Sequence, residues 1–278
     1  MKKFICQAPE NLFEIFVVEL NGYGFEILSR ENQQVNFAVY AQDEEFEDIK
    51  QMIEAIFEDI GGGKIQKIED IKEEDWEEKW KENFKPIQVG KFIIIPEWEI
   101  YEGEDFIPIK IKVAMAFGTG LHPTTRLLLK FIPDYITSED IVLDVGTGTG
   151  ILAIASKKVG AKSVDAFDID PRAVEECKIN AWENEVDINC FVSDINDNLP
   201  QYDILLSNLQ MDIFKDKFDI LAEKFKKYWL VSGIFREDEK EKILKMAEKN
   251  NLQVVKIDSM SEEGRDDHIW YGFVFRHN

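Results

Sequence analysis

The stretch from Ile141 to Ala155, IVLDVGTGTGILAIA, constrains this chain more than any other. An apolar run of strand length leads into Gly146, Gly148 and Gly150, and a small-residue helical segment follows. Strand, glycine turn and helix make the opening unit of a parallel sheet, because glycine lets the chain turn sharply at the strand tip. The residues beyond repeat the alternation. KSVDAFDID reads as a strand, and PRAVEECKINAWEN as a helix with Asp170 as N-cap and Pro171 at its first position. DINCFV, YDILLSN, KYWLVSG, LQVVKID and IWYGFVF are further strands, with helical patterns such as Phe214, Phe218, Leu221 and Phe225 between most of them. This predicts an α/β fold with a C-terminal doubly wound, Rossmann-like sheet. Polar SMSEEGRDD joins the last two strands without a helix, so the sheet should end in an antiparallel hairpin.

The N-terminal pattern is different. KKFICQ reads as a strand and PENLFEIFVVELNGYG as a helix with Leu12, Phe13, Phe16, Val17 and Leu20 on its apolar face. FEILSRENQQVNFAVY predicts a hairpin around Glu31–Gln34. Phe46, Ile49, Ile53, Ile56 and Ile60 follow helical spacing, and KIQKIEDI is another strand. Together they predict a small ferredoxin-like α+β domain over residues 1–70. EEDWEEKWKENFKP then sets Trp76, Trp80 and Phe84 four apart, the pattern of a linker helix docked on a body. Residues 71–100 are read as that helix and a connection, with strand-like FIIIP leading on, and residues 101–278 as the second domain.

Charge narrows the partners. The 278 residues carry a net charge of -22, which repels phosphate backbones and suits a basic partner. Residues 1–100 hold 11 Lys and Arg against 23 Asp and Glu, so over half of the excess lies ahead of the sheet. A direct nucleic-acid substrate is not expected. No apolar run reaches the ~18–20 residues of a membrane span, and the N-terminus lacks an apolar signal core. Cys6, Cys177 and Cys190 form no C-x-x-C, and the three histidines are far apart. Reduced thiols, a cytoplasmic location and no metal site are the expectation.

The glycine turn is G-x-G-x-G, with Ile151 where the dinucleotide fingerprint has its last glycine, and no P-loop is present. Asp144 stands two residues ahead of Gly146, where a carboxylate disfavours a pyrophosphate and favours a cationic ligand. Asp168 ends the next strand, the position that reaches ribose hydroxyls. A ribose, no phosphate and positive charge describe S-adenosyl-L-methionine, with Gly146 and Gly148 allowing close backbone approach. Asp194, after the following strand, is placed for the adenine amino group, or is an ordinary loop carboxylate.

Two further segments carry candidates. In AFGTGLHPTTRLLL, Pro123 opens a helix and Thr124 and Thr125 lie in its first turn, where free amides favour an anion such as the ligand's carboxylate. His122 is a candidate base, although a histidine before a helical proline commonly caps or packs. Asn208 ends YDILLSN at a strand tip, where its side-chain carbonyl can hold and aim an attacking amine.

EDWEEKWKENFKP, MAFGTGLHPTT, LDVGTGTGILAIA, AFDIDPRAVE and the Asn-Leu after DILLS resemble the ribosomal protein L11 methyltransferases over most of the chain. The resemblance implies a small N-terminal substrate-recognition domain, a linker and a class I methyltransferase domain. It implies trimethylation of the N-terminal α-amine and lysine side chains of one basic ribosomal protein, L11. Cofactor positions then fall on Thr125, Gly146, Asp168 and Asn208. The chain departs from the family at Asn208-Leu209-Gln210-Met211, where the family usually reads Asn-Ile-Leu-Ala. A polar Gln210 and a bulky Met211 beside the acceptor bear on methyl count and acceptor choice. The alternative is a class I methyltransferase acting on another basic protein or a small amine. A DNA adenine methyltransferase is disfavoured by Leu209 and Gln210, and a nicotinamide oxidoreductase by the glycine spacing and Asp144.

Overall fold

In β1 (Lys2–Pro9) Phe4, Cys6 and Ala8 are fully buried while the residues between them stay partly exposed, the signature of a strand covered on one face. The computed structural model describes residues 2–13, 24–41, 43–59, 61–70, 86–112, 122–196, 198–262 and 265–278. They belong to two units, Met1–Phe84 and Lys85–Asn278. In the first, β2 (Gly24–Glu31) and β3 (Gln34–Ala41) form the expected hairpin. Asn32 and Gln33 turn at φ 53° and 61°, the left-handed values a two-residue hairpin loop requires. With β4 (Lys64–Asp70) the strands run β2-β3-β1-β4, all antiparallel. Helix α1 (Phe46–Asp59) buries Ile49, Ile53, Ile56 and Phe57 against Phe4, Phe37 and Val39. Residues 14–23 of the expected first helix, and the expected helix bearing Trp76, Trp80 and Phe84, lie outside the described residues.

The second unit opens with a small sheet of β5 (Ile87–Val89), β6 (Phe92–Pro96) and β7 (Ile107–Ile111). FIIIP, read from the sequence as a strand leading into the second domain, is β6 of this unit. The reason is apolar: Val89, Phe92, Ile94, Ile109 and Ile111 share one buried cluster with the helices beside the large sheet.

That sheet is built from α2 (Pro123–Tyr135), β8 (Ile141–Val145), α3 (Ile151–Lys158), β9 (Ser163–Asp168), α4 (Pro171–Glu183), β10 (Asn189–Val192), β11 (Tyr202–Asn208), α5 (Met211–Ala222), β12 (Phe225–Phe235), α6 (Arg236–Lys249), β13 (Leu252–Glu262) and β14 (Arg265–His277). Its order is β10-β9-β8-β11-β12-β14-β13. The closing antiparallel hairpin is present, with β14 inserted between β12 and β13. Phe225, grouped by spacing with a helix, opens β12 instead, because α5 ends at its C-cap Glu223. Apolar clusters lie on the two faces of the sheet. One holds residues of α2, α3 and α4, and the other packs Phe214 and Phe218 of α5 around Trp229, Phe273 and Phe275.

Chain order reverses between β8 and β11, so a crevice opens at their C-terminal tips. Register brings the tips level: Val145 pairs with both Phe167 and Ser207. Gly146, Asp168 and Asn208 are each the next residue. No helix among the described residues is long and apolar enough to cross a membrane.

Candidate functional site

The crevice holds a cavity of about 840 Å³. Gly146, at φ +69°, forms its floor, and a Cβ there would lie 2.6 Å from Leu209 Cδ2. The amides of Gly146 and Thr147 donate to Phe167 O at 2.9 and 3.0 Å, so the turn is tied to the neighbouring strand.

Asp168 lines the cavity at the tip of β9. Its Oδ2 accepts the Gly148 amide and its Oδ1 the Asp170 amide, both at 3.0 Å. These bonds fix the carboxylate's orientation while each oxygen keeps further acceptor capacity. Gly148 serves the site through this amide and does not itself line the cavity. Beside Asp168, Ile169 is 70% exposed and offers an apolar surface to the cavity. Asp194 lines it too, with Oδ1 accepting the Ile195 amide at 2.7 Å.

Asp144 carries two compatible readings from the sequence, partner to a cationic ligand and strand-end acid holding backbone amides, and the structure buries it near the end of β8. It is 1% exposed and is not among the cavity-lining residues. The glycine turn folds back over the strand end, so the nearest donors are internal. Asp144 Oδ2 accepts the Thr147 hydroxyl at 2.7 Å, and the Ala153 amide in the first turn of α3 also donates to the carboxylate. Its Oδ1 has no partner. Burial pushes the carboxyl up to about 7 against the pull of these hydrogen bonds, and the charge of Asp168 adds to the rise.

Asn208 lines the cavity from the tip of β11. Its Nδ2 donates to Thr125 Oγ1 at 3.3 Å, which leaves the amide oxygen as the accepting group. Thr125 is buried and acts through Asn208 rather than as cavity lining. His122 is the N-cap of α2: Nδ1 accepts from the Thr124 amide at 3.4 Å and lies 2.7 Å from Thr124 Oγ1. The ring meets Trp270 edge to face, with centroids 4.5 Å apart. Burial holds its pKa below the ordinary value, opposed by Glu262. His122 caps and packs in this way and also lines the cavity. The AFGTG segment before it lies outside the described residues.

Three features escape the sequence reading. Gly233, at φ +94°, faces the backbone of Leu209, and a Cβ there would fall 2.0 Å from Leu209 O. The Leu209 amide donates to Ser232 O at 3.2 Å, so this segment is pinned by β12. The one local signal for Gly233 is its place at the end of KYWLVSG, two residues short of the end of β12. Trp270 lines the cavity with a buried Nε1 that has no partner among the described residues. It has no local signal, because it arrives through the insertion of β14. Gln210, Asp212, Ile213, Asp216 and Lys217, at the start of α5, complete that wall.

Among the described residues, four carboxylates, Asp168, Asp194, Asp212 and Asp216, line the cavity against one lysine, Lys217. Such a lining disfavours phosphates and accepts hydroxyls, amines and cationic centres.

Residues 14–265 match the model of the family described as ribosomal protein L11 methyltransferase. The ribosomal protein L11 methyltransferase of Aquifex aeolicus is 40% identical over 237 residues, 85% of this chain and 86% of that protein. That of Caldicellulosiruptor saccharolyticus is 36% identical over 235 residues, 83% of this chain and 76% of its own length. The crystal structure of a ribosomal protein L11 methylase from Lactobacillus delbrueckii subsp. bulgaricus matches with a TM-score of 0.63 and 28% identity, over 70% of this chain and 100% of that one. A likeness of nucleotide-fold type would stop at the sheet, whereas the family match begins within the N-terminal unit and runs through β13, and on that extent the chain belongs to the ribosomal protein L11 methyltransferase family.

Proposed function

We propose that the protein transfers methyl groups from S-adenosylmethionine to amino groups, lysine side chains and the N-terminal amine, of ribosomal protein L11. The observation that carries this reading is Asp168, oriented by two backbone amides in a cavity with four carboxylates and one lysine. Asp168 suits a ribose diol, Ile169 and Asp194 suit an adenine, and the scarcity of basic groups suits a phosphate-free ligand. The names and coverage of the relatives support L11 as substrate. When bound, the donor supplies a sulfonium-activated methyl carbon.

The chain's own residues supply position. Asn208, braced by Thr125, accepts an N–H of the amine with its amide oxygen and so aims the nitrogen lone pair. The amine must be neutral to attack. A lysine of pKa ~10.4 costs roughly 4–5 kcal/mol to deprotonate at pH 7, and an α-amine near ~8 about 1 kcal/mol. Solvent takes the proton. The N-terminal ferredoxin-like domain, residues 1–70, docks the basic substrate, and the unit Lys85–Asn278 carries the chemistry. The acidic excess ahead of the sheet supports that division of labour.

Incubation with methyl-labelled S-adenosylmethionine and purified L11 tests the reading. Label in L11 with matching release of S-adenosylhomocysteine is expected, rising with pH earlier for the α-amine than for lysine. Tight donor binding with no label in L11 would refute it.

A further inference from the structure

We infer that Gln210 is a specificity-determining residue that limits how many methyl groups the acceptor nitrogen receives, an inference that rests on the reading proposed above. Its backbone is held from both sides. The Leu209 amide is bonded to Ser232 O at 3.2 Å, and the Leu209 carbonyl sits against Gly233. Leu209 and Met211 turn into the apolar core, whereas the Gln210 side chain is exposed and lines the cavity beside Asn208. Gln210 occupies the N-cap of α5 at φ -69° and ψ 151°, yet its side chain makes no capping hydrogen bond. Residues that serve as N-caps are short, such as Ser, Thr, Asp or Asn. A glutamine there does nothing for the helix and leaves an uncharged amide facing the cavity.

The consequence follows from counting N–H groups. A neutral primary amine has two N–H bonds and one lone pair. With the lone pair on the methyl carbon, one N–H is met by the Asn208 oxygen and the other by the Gln210 oxygen. In the transfer, the lone pair becomes the new N–CH3 bond, and the S–CH3 pair stays on sulfur, which becomes a thioether. The resulting ammonium gives a proton to water. The secondary amine then has one N–H for two acceptors. The tertiary amine has none, so neither amide oxygen holds it, whereas both hold the primary amine. Gln210 thus favours the first transfer and slows the third.

Gln210→Leu, with Gln210→Met as a second apolar variant of similar length, tests this. Both are exposed positions that leave the core untouched. Mass spectrometry of L11 at equal first-transfer conversion should show about a fivefold higher share of trimethylated lysine in either variant than in the wild type, the weight of one hydrogen bond. A second readout needs no turnover. Calorimetry with S-adenosylhomocysteine present should show the wild type binding a lysine peptide about fivefold more tightly than its dimethyl-lysine form, and either variant losing that preference. Equal trimethylation and unchanged peptide preference in both variants would overturn the role of Gln210 alone. Absence of any methylation of L11 by the wild type would bring down the proposed function and this inference together.

Discussion

The two walls of the cavity are built differently. On the β8–β9–β10 side the carboxylates are already engaged by backbone: Asp168 takes the Gly148 and Asp170 amides, and Asp194 takes the Ile195 amide. On the β11–α5–β14 side the Leu209 amide is bonded to Ser232 O, but the Gln210 side chain makes no capping bond and Trp270 Nε1 has no partner among the described residues. The first wall is preorganised for one small ligand of constant shape. In the proposed function the second wall meets the amine acceptor. Charge-assisted hydrogen bonds of about 1.5–3 kcal/mol hold the first wall in place before any ligand arrives.

Gly233→Ala should have the largest effect, because it breaks the second wall without touching the first. Its φ of +94° and the 2.0 Å approach to Leu209 O force the Asn208–Gln210 segment to move. Denaturant unfolding should show a loss of about 3 kcal/mol, and methyl transfer should fall by more than ~10²-fold. Donor affinity by calorimetry should change less than about tenfold; an equal fall in both would show that the walls are not independent. Asp168→Ala attacks the other side. It removes the carboxylate proposed to hold the ribose and leaves two amides unpaired, so donor affinity should drop by about 2–4 kcal/mol, roughly 30- to 10³-fold. Retained affinity would reassign the ribose site.

Asp144 sharpens the contrast through pH. Its carboxyl is raised by burial to about 7 from an ordinary value of 3.8, so the folded protein holds this proton more tightly than the unfolded chain. Its contribution therefore favours folding at low pH and is lost as pH rises through about 7. The unfolding midpoint of Asp144→Asn should fall less between about pH 5 and 8 than that of the wild type; parallel curves would mean that the carboxyl is ionised throughout. The smallest effect belongs to Asp194→Ala. Asp194 is exposed and partly occupied by its own backbone, so donor affinity should weaken only two- to fivefold, about 0.5–1 kcal/mol. A hundredfold loss would move the adenine anchor from the apolar surface of Ile169 to this carboxylate.

Much of this arrangement is legible locally. Asp168 and Asn208 are recognisable because a residue at the tip of a parallel strand has one place to be, and strand register puts both beside Gly146. The Asp170 cap and the Asn32–Gln33 hairpin turn are short-range chemistry and follow from a few residues. Asp144 was harder to read. Position along β8 suggests exposure to a ligand, but the turn covers it and supplies Thr147 as its donor. Phe225 kept helical spacing by coincidence, and only the end of α5 and the pairing of Tyr202 with Phe225 put it in a strand.

What the amino-acid sequence by itself determines here is the succession of elements, the glycine turn and the acids that flank it, because periodicity, capping and turn geometry act over a few residues. What the tertiary structure alone decides is which side chains share a cavity. Thr125 reaches Asn208 across 83 residues, and β14 carries Trp270 to His122 by entering between β12 and β13. Those meetings depend on strand order and on the burial of large apolar faces, which are properties of the whole sheet and are written in no single segment.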